Sequence, residues 1–266
     1  MTISYRGTAI HYLDSGEGHP IIFLHGFLGS TEIWNETSKI ISGSYRVISI
    51  DLLGHGQTGS IGYIHTMEQM ATFTHQILTH LGLEKAFVVG HSMGGYVALA
   101  FADLFPKKVS GLVLVNSRAR DDKSQKVLLR DRTINAIKQA GLSFMRATIP
   151  LLFRSETNNT SNIEQITLKA LQTTRQGAIA ALEGIKIRAD RSFVLKLTSF
   201  PKLLILGGQD PILDCQEVTQ EFKDSEADVL IFDSGHMIPA ECADKLAIAL
   251  TDFFELALNS SHGSKP

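Results

Sequence analysis

Val88-Val89-Gly90-His91-Ser92-Met93-Gly94-Gly95-Tyr96 decides how this chain is read. It runs from a buried strand through a sharp turn carrying one serine into a helix that opens on two glycines. The core of the stretch, Gly90-His91-Ser92-Met93-Gly94, has the G-x-S-x-G spacing of a nucleophile elbow. So tight a turn tolerates only minimal side chains beside the serine, hence glycine on both sides. The hydroxyl is then expected to stand clear of the sheet. The N-terminus of the following helix favours negative charge developing next to it.

A serine hydroxyl is a weak nucleophile. It needs a base, and the base needs an orienting acid. Both must lie at strand ends on the same edge of the sheet as Ser92. Gly207-Gly208-Gln209-Asp210-Pro211 follows the apolar run Lys202–Leu206, which puts Asp210 where an orienting carboxylate belongs. Ser234-Gly235-His236-Met237 follows the last strand, Asp228–Phe232, which puts His236 where a base belongs. The order Ser, Asp, His is the one expected for an elbow-type sheet. An oxyanion hole needs two backbone donors aimed at one point. Met93 N–H, directly after the serine, is one candidate. Phe27 N–H, in the loop His25-Gly26-Phe27-Leu28-Gly29 after the run Ile21–Leu24, is the other. His11, His19, His65, His75, His80 and His262 lack such a setting and read as surface or structural.

Around these motifs, short apolar runs alternate with helical patterns. Ile3–Tyr5 and Ala9–Leu13 read as a hairpin turning at Gly7. Ile21–Leu24, Arg46–Ile50, Lys85–Val89 and Val109–Asn116 read as buried strands. Ser30 or Thr31 can cap a helix containing Trp34, and further helices are expected over Thr66–Leu81 and Gly94–Phe105. This rhythm predicts a mostly parallel sheet covered on both faces. It breaks after Ser117, where only helical patterns occur: Lys126–Ala140, Ser143–Phe153, Ile163–Thr174 and Gln176–Ile187, with a polar joint at Asn158-Asn159-Thr160-Ser161. It resumes with Lys202–Leu206, a helix near Asp214–Phe222, Asp228–Phe232 and a last helix from Pro239 to about Leu258. The expected organisation is a core in two parts, residues 1–117 and 197–258, a helical cap or lid over residues 118–196, and a disordered polar tail, 259–266.

The chain has 266 residues, 44% of them hydrophobic, and a net charge of −2. It can therefore bury a sizeable core, and no global basic field argues for nucleic acid. No apolar run is long enough to span a membrane, and Met1-Thr2-Ile3-Ser4-Tyr5-Arg6 lacks the pattern of a signal peptide. Two cysteines, Cys215 and Cys242, read as reduced thiols of a cytoplasmic protein. Neither a phosphate-cradling glycine loop nor a metal-ligand cluster occurs, so no metal and no organic cofactor are expected. Nothing in the sequence sets an oligomeric state. Charge is unevenly divided: residues 118–196 carry 15 Lys/Arg against 7 Asp/Glu, and the remainder carries 10 against 20. Such a surplus reads either as a solvated helical surface or as a means of attracting an anion, with Arg118, Arg120, Arg146 and Arg154 as the candidates.

Taken together, His25-Gly26-Phe27, Asp51-Leu52-Leu53-Gly54-His55-Gly56, Gly90-His91-Ser92-Met93-Gly94-Gly95, Asp210 and Gly235-His236 resemble the α/β-hydrolase fold superfamily over essentially residues 1–258. The resemblance implies an eight-stranded, mostly parallel sheet with helices on both faces and a helical cap after the sixth strand. It implies Ser92 as nucleophile, His236 as base and Asp210 as its orienter. Serine at the nucleophile position separates the chain from haloalkane dehalogenases and epoxide hydrolases, which resemble it but carry aspartate there. The stretch Leu24–Ser30 also resembles the menaquinone-pathway lyase that makes 2-succinyl-6-hydroxy-2,4-cyclohexadiene-1-carboxylate. That family places arginine after its Ser-x-Gly-Gly, whereas this chain has Tyr96. Serine-triad perhydrolases and haloperoxidases share the same constellation. The leading expectation is a cofactor-free serine esterase acting on small or medium acyl esters through an acyl-Ser92 intermediate. Carbon–carbon bond cleavage on an anionic substrate with the same triad is the second expectation, and a ligand receptor retaining the fold is the third.

Overall fold

The computed structural model describes residues 1–154 and 160–262. Eight strands form one sheet: β1 (Thr2–Tyr5), β2 (Thr8–Ser15), β3 (His19–Leu24), β4 (Tyr45–Ile50), β5 (Ala86–His91), β6 (Val109–Val115), β7 (Lys202–Gly207) and β8 (Asp228–Phe232). Their spatial order is β1-β2-β4-β3-β5-β6-β7-β8. The β1–β2 and β2–β4 pairs are antiparallel and every other pair is parallel. The hairpin turns through Arg6 and Gly7, both at positive φ.

Side-chain alternation splits the core in two. From β3, Ile22 and Leu24 face one side with Val88, Leu112 and Leu204. Ile21 and Phe23 face the other with Val89, Val113 and Ile205. The first face is covered by α2 (Met67–His80) and α3 (Met93–Leu104), the second by α1 (Asn35–Ile41) and α11 (Ala243–His262). On that second face Phe23 stacks on Trp34 with ring centroids 4.5 Å apart, and Phe87 stacks on Phe254 at 4.3 Å. The continuous apolar character of β3 to β7 follows from burial on both faces. β8 is an edge strand, with Ile231 exposed.

Chain order and spatial order reverse between β3 and β5. The chain leaves β3 toward β4 and then returns across the sheet to β5, so Leu24 is paired with Gly90. A switch of this kind opens a crevice at the carboxyl ends of the strands. It sets the loop after β3 directly beside the elbow.

Between β6 and β7 lie α4 (Ser124–Ala140), α5 (Met145–Thr148), α6 (Thr160–Ala170), α7 (Arg175–Lys186) and α8 (Ser192–Leu197). Four details depart from the sequence reading. The helix read over Ser143–Phe153 is broken, because Pro150 has no N–H to continue it, and Ile149–Leu152 forms a 3₁₀ turn. The helix α8 has no counterpart in that reading. The helix read from Pro239 is two helices, α10 (Ile238–Glu241) and α11, separated at Cys242, whose backbone leaves the helical region. The helix α11 also runs past Leu258 to His262, so residues 259–262 are helical rather than a disordered tail; Gly263 is the first strong helix breaker in the sequence. Asn158 and Asn159 of the expected joint, and residues 263–266, lie outside the described residues. The remaining helix, α9 (Cys215–Glu221), is capped by Asp214, whose side chain accepts from Glu217 N–H. Among the described residues no helix is long and apolar enough to cross a membrane. Both cysteines are free.

Candidate active site

Ser92 sits between β5 and α3 at φ 51°, a left-handed conformation that costs a side-chain-bearing residue free energy. The surroundings over-determine it. Ser92 N–H donates to Val115 O at 3.0 Å, and Ser92 O accepts from Gly95 N–H at 2.9 Å and from Ser117 Oγ at 2.8 Å. The glycines are required by approach of backbone to backbone. A Cβ on Gly90 would lie 2.3 Å from Gly94 O, and one on Gly94 would lie 2.1 Å from Leu24 O.

The structure brings together the three side chains that the motifs single out. His236 Nε2 lies 3.0 Å from Ser92 Oγ, and His236 Nδ1 lies 2.6 Å from Asp210 Oδ2. The Asp210 side chain is fully buried and that of His236 nearly so. The other carboxylate oxygen of Asp210 accepts from Ile212 N–H and Leu213 N–H, at 2.7 and 3.1 Å, which fixes its plane. With Asp210 ionised, His236 carries its proton on Nδ1 and turns a lone pair on Nε2 toward the serine hydroxyl.

The loop after β3 is pressed onto the elbow: a Cβ on Gly26 would lie 3.2 Å from Ser92 Cβ and 2.9 Å from His91 Nδ1. Phe27 N–H has no acceptor among the described residues. Met93 N–H, the first of α3, belongs to the helix-end donors that have no partner inside a helix. The loop's shape is held from behind by the motif Asp51-Leu52-Leu53-Gly54-His55-Gly56. His25 Nδ1–H donates to Gly26 O at 2.7 Å while Nε2 accepts Leu52 N–H at 2.9 Å. Burial holds His25 below the usual histidine range, so this pattern is that of a neutral ring. Asp51 is buried and accepts from Thr31 N–H, Gln57 N–H and His11, at 2.7, 2.9 and 3.0 Å. His11 is thus a structural partner.

Two supporting residues have no sequence signature. Asn116, fully buried at the end of β6, receives Gly207 N–H on Oδ1 at 2.7 Å and donates Nδ2 to Gly235 O and His236 O, both at 2.9 Å. One amide therefore ties the loop before Asp210 to the loop that carries His236. Glu241 does the same for the His236 loop and the helical segment. It accepts from Gly235 N–H at 3.1 Å, Met237 N–H at 3.1 Å and Arg154 N–H at 2.9 Å. His91 adds a bond from Nε2–H to His236 O at 2.8 Å; burial first, and the adjacent His236 second, push its pKa down to about 3.

A cavity of about 970 Å³ opens over Ser92 and His236. Its walls include Phe27, Met93 and Tyr96 from the core, and Met145, Ile149 and Leu182 from the helical segment. The four arginines read as anion-attracting do not line it. Arg118 is buried in ion pairs with Glu217 and Glu221, Arg154 pairs with Asp233, and Arg120 and Arg146 are exposed. The surplus charge of the segment is largely spent on the acidic core: Lys123–Glu217, Lys169–Glu32, Arg191–Glu68, Arg191–Asp103 and Lys196–Asp224 also cross the boundary. The cations that do line the cavity are Arg130 and Lys169. Among the described residues no group of three His, Cys, Asp or Glu side chains could hold a metal ion.

A family model for the alpha/beta hydrolase fold matches residues 19–241. A solved thermophilic esterase from Thermogutta terrifontis, with malate bound, superposes with a TM-score of 0.91 at 30% identity, covering 96% of this chain and 97% of the other. Among curated proteins, the chain is 29% identical over 236 residues to the dihydrolipoyllysine-residue acetyltransferase component of the acetoin cleaving system of Pseudomonas putida, spanning 86% of this chain and 61% of that one. It is 27% identical over 252 residues to the 2-hydroxy-6-oxo-6-(2'-aminophenyl)hexa-2,4-dienoic acid hydrolase of Metapseudomonas resinovorans, covering 89% of this chain and 82% of the relative. The match spans about three fifths or less of the length of the first curated relatives.

Proposed function

The chain belongs to the alpha/beta hydrolase fold family, and from that premise we propose that it is a serine hydrolase cleaving carboxylic esters through an acyl-Ser92 intermediate. One observation carries the reading. His236 bridges Ser92 Oγ, 3.0 Å away, and the buried Asp210 carboxylate, 2.6 Å away, at the floor of a cavity large enough for a small or medium ester. The likeness to a solved esterase at 30% identity supports ester chemistry.

In the proposed cycle His236 Nε2 takes the Ser92 proton as Oγ attacks the ester carbonyl. The negative charge passes to the carbonyl oxygen, which receives Phe27 N–H and Met93 N–H. His236 then gives its proton to the leaving alcohol, and the acyl group stays on Ser92. Water enters, loses a proton to the same nitrogen, and releases the acid. Asp210 stabilises the transient imidazolium and holds the tautomer. The helical segment acts as a cap whose apolar side chains face the acyl chain.

The test is steady-state hydrolysis of p-nitrophenyl esters from acetate to palmitate by the wild-type protein and Ser92→Ala. The variant is expected to lose about four orders of magnitude or more in kcat/KM, and a fluorophosphonate is expected to label Ser92 alone. Full activity in Ser92→Ala would overturn the mechanism.

The likeness to a dienoic acid hydrolase over 89% of the chain favours a second reading, hydrolysis of a carbon–carbon bond beside a ketone. Serine-dependent turnover of such a vinylogous diketone, with no turnover of any ester, would select it.

A further inference from the structure

The cavity wall carries a cation that shares its one ion-pair partner among the described residues with a second cation. Arg130, on α4, lines the cavity, and its Nε donates to Asp122 Oδ2 at 3.0 Å. The other oxygen of the same carboxylate accepts from Arg188 Nη2 at 2.8 Å. Asp122 and Arg188 are both buried, and among the described residues Asp122 is the one carboxylate in ion-pair contact with either arginine. Two permanent cations therefore share one anion. Of the other charged groups on the cavity wall, Lys169 pairs with Glu32 and Glu36 with Lys39, while the buried Asp51 is turned to its own three donors, Thr31 N–H, Gln57 N–H and His11.

The two arginines are placed differently. The Arg188 guanidinium lies 4.1 Å from the centroid of the Tyr96 ring, which closes it off from the cavity. Both Arg188 Nη groups are engaged, Nη1 with Ile185 O and Nη2 with Arg120 O and Asp122. Arg130 is different: both of its Nη groups lack a partner among the described residues, and its side chain is 25% exposed. With Nε occupied, the free edge of its fork is the pair of Nη groups, a geometry that receives the two oxygens of a carboxylate. Tyr96, one helical turn beyond Ser92 on α3, lines the same cavity as Ser92 and Arg130.

Resting on the serine-hydrolase reading above, we propose that Arg130 is a specificity-determining residue that receives a free carboxylate on the substrate, making the preferred substrates esters that carry a second, ionised acid group. A mostly apolar cavity disfavours an anionic substrate unless a cation meets it. A preference for the anionic member of a matched pair is therefore diagnostic.

The experiment measures kcat/KM for two such pairs. Methyl hydrogen adipate is compared with methyl hexanoate, which tests a carboxylate on the acyl side. The butanoyl ester of 3-hydroxypropanoate is compared with butyl butanoate, which tests one on the alcohol side. Each is run at pH 8 with the wild type, Arg130→Gln, Arg130→Lys and Ser92→Ala. In at least one pair the wild type is expected to favour the carboxylate-bearing ester tenfold or more. Arg130→Gln is expected to cut that ratio at least tenfold, and Arg130→Lys, which keeps the charge without the fork, to fall between. A wild-type ratio near or below one in both pairs overturns the proposal, and needs no variant to fold. A ratio that survives in Arg130→Gln also overturns it. Hydrolysis by Ser92→Ala at the wild-type rate would instead remove the serine mechanism, a separate failure.

Discussion

Replacing Asn116 with alanine tests whether one buried amide sets the geometry of both the acid and the base. The substitution removes three hydrogen bonds, of 2.7, 2.9 and 2.9 Å. Their loss is unequal. Gly207 N–H is left buried with nothing in place of the amide oxygen, which costs about 1–3 kcal/mol. Gly235 O keeps a longer bond from Ser234 Oγ at 3.2 Å, and His236 O keeps His91 Nε2–H at 2.8 Å, so each carbonyl loses only about 0.5–1 kcal/mol. Asn116 also sits at φ 42°, where asparagine is tolerated and alanine adds about 1 kcal/mol of strain. The sum is about 3–6 kcal/mol, a large share of the 5–15 kcal/mol typical of a domain. Asn116→Gly removes the same bonds without that backbone strain, so strain and bonding can be told apart. Both variants are expected to lose activity beyond their loss of stability, because a displacement of about 1 Å at a reacting group costs about 10²-fold. Urea unfolding gives the stability, and ester turnover well below the unfolding midpoint gives the activity. Since His91 and Asn116 share one acceptor, His91→Phe combined with Asn116→Ala should cost more than the two changes added separately. A destabilisation below about 0.5 kcal/mol with turnover within twofold of wild type would refute the reasoning, tied as it is to the unpaired Gly207 N–H.

Three further outcomes are expected. Asp210→Asn preserves the shape of the site but favours the wrong His236 tautomer, and kcat should fall about 10⁴-fold with the fold intact by circular dichroism. Burial drives the pKa of both His55 and His91 down to about 3, far below the 6.5 of an unfolded chain, so the unfolded state binds more protons between those values. Stability should therefore be complete above about pH 6.5 and fall as the pH drops toward 3, by up to about 1.4 kcal/mol per pH unit for each ring; a urea midpoint that holds or rises from pH 7 to 4.5 would contradict this. Glu221→Gln leaves the buried Arg118 with Glu217 as its remaining carboxylate, and should cost about 2–3 kcal/mol in urea unfolding while ester turnover stays within about twofold.

The parts legible in the sequence are those fixed by local chemistry. Unbroken β-branched and leucine-rich runs bounded by glycine mark strands buried on both faces. The elbow glycines at 90 and 94 are marked by the close approach of Leu24 O and Gly94 O, which no side chain survives. Asp210 and His236 are legible because each is the chemically able residue just past a strand end. Asn116 and Glu241 are not legible: their partners lie far off in the chain, as with Asn116 and His236, 120 residues apart, and no local pattern distinguishes them from ordinary polar residues. The lid arginines failed for a related reason. A helix's periodicity shows which residues share a face, not what that face meets. On α4 only Ile134 and Ile137 are buried, so nothing in its pattern marks Arg130 as the residue that lines the cavity.

The charge division along the chain then acquires a mechanical meaning. The basic helical segment is fastened to the acidic core by pairs of very different burial. At its base, the side chains of Arg118 and Arg191 are 4% and 6% exposed, and such pairs are costly to break once made. At the mouth of the cavity, Lys169 and Glu32 are each about half exposed, and a pair so solvated contributes about 0–1 kcal/mol. The segment is thus held to the core by buried ion pairs near its ends in the chain, while α6 meets the core through the solvated Lys169–Glu32 pair and a bond from Asn162 Nδ2 to Ala240 O at 3.3 Å. Between these lies Leu152–Arg154, whose backbone bonds the His236 loop directly through Leu152 O at 2.7 Å and Glu241. Displacing residue 152 would cost His236 N–H its acceptor, so the placement of the His236 loop depends on that of the helical segment.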